Sequence, residues 1–184
     1  MVMQKVISTL IGLSLFVGAS AFADGTPTGI ILLPSFSVQK ESNQLYGDQS
    51  GIPFDLRVGY VNADGIYFGA LYANKTISGQ YSRSETTLGN SIGYFYSNAA
   101  ILASYFITSA QTESGPGVGL RRTGGMGFQV DVALAYPLEW GVSLVPMLTY
   151  KSLVFDTVES QGVIMSTTST QTSLHPYLGF QYVF

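Results

Sequence analysis

The 184-residue chain is 46% hydrophobic and only 10% charged, has a formal net charge of −3 and contains no cysteine. This composition excludes intrinsic disorder, which requires low hydrophobicity and high net charge. It also excludes a disulfide scaffold, a thiolate metal site and a basic face for nucleic acid. The length suits one domain. With 12 Tyr, 11 Phe and 21 Gly against so few charges, a water-facing surface is hard to build, because soluble domains carry about a quarter of their residues as charges.

Residues 1–23 read as an export signal. Lys5 supplies the positive start, Val6 to Val17 form an apolar run, and Ala21-Phe22-Ala23 matches a small-x-small cleavage site. A membrane anchor is the competing reading, but the run falls short of the roughly 20 residues a spanning helix needs. The expectation is cleavage after Ala23, leaving residues 24–184 as one exported domain.

From Thr28 onward, segments of alternating hydrophobicity are separated by Gly, Asn, Asp and Ser. The first places Ile30, Leu32, Pro34, Phe36 and Val38 on one face. The second places Ile52, Phe54, Leu56, Val58 and Tyr60 against Pro53, Asp55, Arg57 and Gly59. The third, Ile66 to Lys75, is less regular. The fourth has Leu88, Ile92, Tyr94 and Tyr96, and the fifth, Ala100 to Ala110, fits either phase. The sixth runs Met126, Phe128, Val130, Val132, Leu134 and Tyr136 against Gly127, Gln129, Asp131, Ala133 and Ala135. The seventh runs Val142 to Tyr150, and the eighth Leu174 to Phe184. Eight strands are predicted.

Alternation alone also fits a soluble sandwich. Here, however, the non-apolar faces are small and weakly polar, while the apolar faces are bulky and end in aromatics. That is the inverted pattern of a barrel with lipid outside and small polar residues within. The charges agree. Asp55, Arg57, Lys75, Asp131 and Lys151 all fall opposite the bulky set, as expected if Arg or Lys facing lipid costs about 2–4 kcal/mol.

Connections alternate strictly between tight turns (Asn62 to Gly65, Ser97 to Ala99, Pro137 to Gly141) and longer polar links near 41–50, 77–85, 111–123 and 153–171. An up-and-down barrel would gather the short turns at one rim and the long loops at the other. Tyr60, Phe68, Tyr94, Tyr96, Tyr136, Trp140, Tyr182 and Phe184 cluster near the short turns, and Phe36, Phe54, Tyr72 and Tyr150 near the long links. Such positions suit interfacial girdles. The fold class read from these patterns is all-β, an eight-stranded antiparallel up-and-down transmembrane β-barrel.

The C-terminal run Gly179-Phe180-Gln181-Tyr182-Val183-Phe184 resembles the terminal signal of bacterial outer-membrane barrels: Gly, two residues, an aromatic, one residue, and a terminal Phe. Tyr177 departs from that pattern, which has a polar residue two before the Gly. The chain looks like a small outer-membrane barrel of the OmpX, OmpW or OmpA-barrel type. The resemblance implies that Gly179, Tyr182 and Phe184 are determinants read by the barrel-assembly machinery, and that the chain lies in the outer membrane. Those families span several roles, so it assigns no activity.

In such a barrel Asp55, Arg57, Lys75, Gln129, Asp131, Lys151 and His175, with Tyr67, Tyr177 and Gln181, would point into a lumen that side chains nearly fill. A paired plug is the first reading. A narrow path for small or hydrophobic solutes is the second, since lumenal Gly and Ala could leave room for water. A third is a lipid-active hydrolase through His175, the sole histidine, with Ser37 and Asp55 on neighbouring strands. The expectation is no enzyme, no cofactor and no metal. A structural or surface role would be carried by loops around Leu45, Arg121 and Val163. Arg121 and Arg122 are candidates for contact with lipopolysaccharide phosphates. The predicted partners are outer-membrane lipids, lipopolysaccharide and the assembly machinery, with the chain a monomer.

Overall fold

A computed structural model describes residues 26–43, 47–79, 81–115, 118–138, 141–160 and 162–184. The expected signal segment, Leu45 and Trp140 lie outside them. The chain forms eleven strands: β1 (Gly29–Phe36), β2 (Gln39–Asn43), β3 (Gly47–Gly51), β4 (Phe54–Val61), β5 (Ile66–Ser78), β6 (Ser82–Tyr96), β7 (Ala99–Gly115), β8 (Val118–Leu134), β9 (Tyr136–Pro137), β10 (Val142–Ser160) and β11 (Val163–Val183). Eight of them, β1, β4, β5, β6, β7, β8, β10 and β11, pair antiparallel in that order, and β11 returns to β1. Closing the ring satisfies both edges of each of these strands along the paired stretch.

Each of the eight predicted segments falls on one ring strand, with Val38, Ile52, Tyr136 and Phe184 beyond the strand ends, but the ring is not a plain cylinder. The links expected as long loops at 77–85, 111–123 and 153–171 are largely strand. Ser and Thr, β-branched or small, extend the pairing, so that β10 has 19 residues and β11 has 21. The link at 41–50 contributes to the β2–β3 hairpin, whose strand pairing with the ring among the described residues is Ser50↔Ser78 and Gly51↔Ile77. β1 and β4, by contrast, have 8 residues each. The wall is therefore tall on the β10–β11 side and low at β1.

The closing seam is the least regular. β1 pairs β11 at Ile31↔Val183 and Leu32↔Tyr182, then again at Ser35↔Gly179 and Phe36↔Leu178. Pro34, which has no N–H to give, sits in the gap. The end is pinned by reciprocal bonds: Ile30 N donates to Phe184 O (3.1 Å) and Phe184 N to Ile30 O (2.9 Å).

The period-two pattern faces as predicted. Ile30, Val58, Tyr60, Phe68, Ile92, Tyr94, Ile101, Phe128, Val132 and Leu174 are exposed, while Ile31, Leu33, Leu71, Leu102 and Met147 are buried inside. Tyr105, Phe128 and Tyr150 form an aromatic row across β7, β8 and β10, with Phe128 and Tyr150 ring centroids 5.8 Å apart. Asn90 is the outward polar exception between Leu88 and Ile92 on β6. Beyond Leu88, the outward face of β6 turns to Thr86, Ser84 and Ser82, so the apolar belt ends while the strand continues. The ambiguous phase of the fifth segment has a local cause. The β6–β7 register shifts between Leu88 and Gly89, where Ile107 is left over as a bulge, and this moves Ser109 and Gln111 onto the inner face.

Inward glycines have a packing role. They leave room for rings. A Cβ on Gly59 would lie 2.5 Å from the Tyr67 ring, one on Gly69 would strike the Tyr67 hydroxyl, and one on Gly125 would come within 2.7 Å of Phe155. Large lumenal side chains thus lie flat against glycine on the wall.

The turns follow their residues. Asn62 Oδ1 accepts from the N–H of Asp64 (3.0 Å) and of Ile66 (2.8 Å), and Gly65 takes φ +82°. The β6–β7 turn has its positive φ on Ser97 (53°) and not on Asn98, the pattern of a turn that favours Gly at its first central residue. Ser97→Gly is expected to stabilise the fold by about 0.5–1 kcal/mol by relieving that conformation, read as a higher urea midpoint at unchanged slope.

Candidate functional site: a stapled lumen with a blind cavity

The lumen has three levels. Nearest the short turns, Ile31, Leu33, Val61, Tyr67, Phe95, Ala100, Leu102, Ala133, Val145, Met147 and Tyr177 form an apolar plug. A residual cavity beside it is about 10 Å³, no more than the smallest space that holds one water. Alternation supplies these residues: they are the inward members of strands whose outward members form the belt.

Above the plug lies a charged layer. β4 and β8 are diametrically opposite in the eight-membered ring, yet Arg57 Nη2 on β4 reaches Asp131 Oδ2 on β8 at 2.5 Å. Gln129 Nε2 on β8 donates back to Asp55 Oδ2 on β4 at 2.9 Å, and to Asp131 Oδ1 at 3.0 Å. Thr149 Oγ1 donates to Asp131 Oδ1 at 2.7 Å, and Arg57 lies 3.8 Å from Asp55. Arg57 and Asp131 are 1% and 0% exposed. Two bonds therefore span the full width of the ring at this level. Each of these charges has an opposite charge beside it, which lowers the cost of burial, although Arg57 Nε and Nη1 and Gln129 Oε1 are buried without a hydrogen-bond partner.

The third level is a cavity of about 750 Å³ on the long-hairpin side, floored by Asp55 and Tyr177. Lys151 Nζ donates to Glu85 Oε1 at 2.6 Å and stands 5.1 Å over the Phe106 ring. Lys75 faces Glu85 across the β5–β6 pair. Glu113 Oε1 accepts from Arg83 Nε and Arg122 Nη1, both at 2.8 Å. Gln111 and Gln171 exchange amide bonds of 3.2 and 2.8 Å across the ring.

Of the residues singled out from sequence, Asp55, Arg57, Gln129 and Asp131 form one network, while Lys75, Lys151 and His175 line the cavity above it. Arg122 is not on the outer surface. Its guanidinium joins Gln111 (2.6 Å) and Glu113 inside, whereas Arg121 is exposed. The phase reversal that turns Arg122 inward comes at Gly124, with φ +67° and a register shift in the β7–β8 pair. Ser37 is buried but is not on the cavity wall with Asp55 and His175, and the Asp55 carboxylate is taken up by Gln129 and Arg57. Gly179 is buried at the seam, facing Pro34 and Ser35, while Tyr182 and Phe184 face outward. Arg83, Glu85, Gln111, Glu113 and Gln171 are inward residues that the sequence pattern does not single out. Their signal was the same parity continuing through polar residues (Arg83, Glu85, Thr87; Gln111, Glu113), which reads as loop once hydrophobicity is lost.

No protein-family model matches this chain, and no curated protein sequence does. Among solved structures it is similar to the translocator domain of autotransporter NalP from Neisseria meningitidis, at 14% identity and a TM-score of 0.42, over 96% of this chain and 68% of that one. The chain is an all-β antiparallel sheet closed into an eight-stranded ring, with cross-lumen bonds, an apolar plug and a cavity above them.

Proposed function

We propose that this chain is an integral outer-membrane β-barrel whose role is structural or surface-interactive, carried by the hairpins of its tall rim. The observation that supports this is the sorting of side chains: exposed Ile92, Val132, Phe128 and Leu174 outside, and Arg57, Asp131 and Gln129 fully buried within. A contiguous apolar exterior of this kind is a liability in water and a requirement in lipid. Pairs of strands longer than the roughly 9–11 residues that cross a bilayer would carry hairpins beyond it. Val163, Ile164 and Met165, 62%, 71% and 46% exposed at the β10–β11 tip, would then be presented for contact. Of the two arginine candidates for lipopolysaccharide phosphate, Arg121 is the exposed one. The C-terminal strand, pinned to Ile30 through Phe184, would be the segment the assembly machinery receives. Enzyme chemistry is not part of this reading.

Cell fractionation with a gel-mobility assay on the same sample tests it. The chain is expected in the outer-membrane fraction, with a band that shifts on heating. A heat-insensitive band in the soluble fraction overturns the proposal. In planar bilayers the plugged lumen is expected to give no discrete conductance steps.

A further inference from the structure

We propose that the outer face around Asn90 is a contact surface for a second copy of this chain. Two barrels would meet across a two-fold axis in the membrane, with their Asn90 amides bonded to each other. The inference rests on the outer-membrane reading and replaces the monomer expected from the sequence.

Asn90 faces outward from β6 and is exposed, between the apolar Leu88 and Ile92. The row of cross-strand pairs through it fixes its height. That row descends by Ala70 and Val58 to Tyr182, near the short turns. It climbs by Tyr105 and Phe128 to Thr172, above the apolar belt. Asn90 stands midway. Along β6 it lies below Thr86 by roughly 10 Å of depth, given the rise and tilt of a barrel strand. Lysine or arginine could snorkel toward water over such a span, but the short asparagine side chain cannot. Among the described residues its amide meets no hydrogen-bond partner. Asn74, an outward amide at the belt's upper edge, differs in that it donates to Thr86 Oγ1 at 3.2 Å. Tyr105, opposite Asn90 on β7, is 57% exposed, and its hydroxyl meets the Met126 sulfur at 3.6 Å, a weak acceptor. Hydrocarbon offers neither group a better partner, and an unbonded amide there is costly.

The amide itself selects the occupant. Two copies inserted with one orientation can pair only about an axis along the membrane normal. A residue on that axis meets its own copy at the same depth. A carboxamide carries a donor and an acceptor side by side, so two of them facing each other exchange reciprocal N–H···O=C bonds. A different protein would have to present a polar group of its own at this one depth on a lipid-facing wall. The neighbouring surface permits the approach. Ala70 lies directly beside Asn90 on β5 and Ala103 diagonally on β7, both outward. Small residues of this kind let membrane-spanning elements come close enough for a short polar side chain to reach across.

The full chain folded into phosphatidylcholine vesicles tests the contact. The sequence has no cysteine. Ala70→Cys, beside the axis, and Leu174→Cys, on β11 at the opposite side of the ring, therefore each carry a single thiol. Mild oxidation is expected to link Ala70→Cys into a dimer and to leave Leu174→Cys unlinked. Energy transfer between donor- and acceptor-labelled copies, followed as added lipid dilutes them, measures the association without crosslinking. Asn90→Leu should weaken it about tenfold, the scale of a polar contact between membrane-spanning elements, while heat-modifiable mobility stays normal. Asn90→Gln, which keeps the amide, should retain most of it. Equal linking at both thiols, a monomer even at the lowest lipid dilution, or an Asn90→Leu dimer as tight as the native one overturns the interface. In outer-membrane fractions, a crosslink from Ala70→Cys to a chain of different mass gives the face to another protein and overturns the self-contact. Flotation separates the two readings. Protein that fails to float with the vesicles overturns the membrane reading and this interface together, whereas a floated monomer overturns the interface alone.

Discussion

Arg57→Met is expected to cost about 3–5 kcal/mol of unfolding free energy, the largest single-site loss in the ring. The guanidinium is 1% exposed, bonds Asp131 across the full width of the lumen and lies 3.8 Å from Asp55. Methionine fills much of the space but leaves two buried carboxylates without their cation, and a buried charge stripped of its partner is far more costly than the pair is favourable. Asp131→Asn should cost less, because Asp55 remains beside Arg57 and the asparagine oxygen can still accept from Thr149. In the double variant Arg57→Met/Asp131→Asn, only Asp55 is left uncompensated, so the loss should be clearly smaller than the sum of the two single losses. Urea titration of refolded protein measures all three. Strict additivity, or an Arg57→Met loss under about 1 kcal/mol, would show that the cross-lumen pair does not hold the ring.

What could be read from sequence was set by which signals survive in one dimension. Side-chain parity is local. The outward set Phe54, Leu56, Val58, Tyr60 and the inward set Asp55, Arg57 needed no knowledge of partners, and their faces stand as read. Strand ends were read from hydrophobicity, and this failed where an outward face passes from apolar to hydroxylated. β11 continues through Ser166-Thr167-Thr168-Ser169 because β10 lies beside it, a pairing that leaves no periodic trace. Arg122 shows the same limit at a single residue. Its face depends on the backbone reversal at Gly124, so simple counting from Met126 places it outside. The Arg57–Asp131 contact joins residues 74 apart on opposite walls. Parity could put both inside, but only ring closure brings them within reach.

The exterior belt gives the sharpest environmental test, because two positions on one strand separate lipid from water without moving the fold. Ile92 and Ser84 both face outward from β6 and both are exposed, Ile92 at 58%. In a water-soluble cylinder Ile92→Arg and Ser84→Arg would each be nearly neutral, within about 0.5 kcal/mol, as surface substitutions generally are. If the belt meets hydrocarbon, Ile92→Arg should lose about 2–4 kcal/mol and Ser84→Arg, beyond the belt, no more than about 1 kcal/mol. The comparison is read as the folded fraction in phospholipid vesicles across a urea series. Detergent micelles, which deform around a charge, should shrink the difference. Equal behaviour of the two arginines in vesicles would mean that the apolar face of β6 does not touch lipid, and the membrane assignment would fall with it. A difference confined to Ile92 locates the upper edge of the hydrocarbon between Ile92 and Ser84. On β6 the outward residues change from Leu88 to Thr86 within that interval.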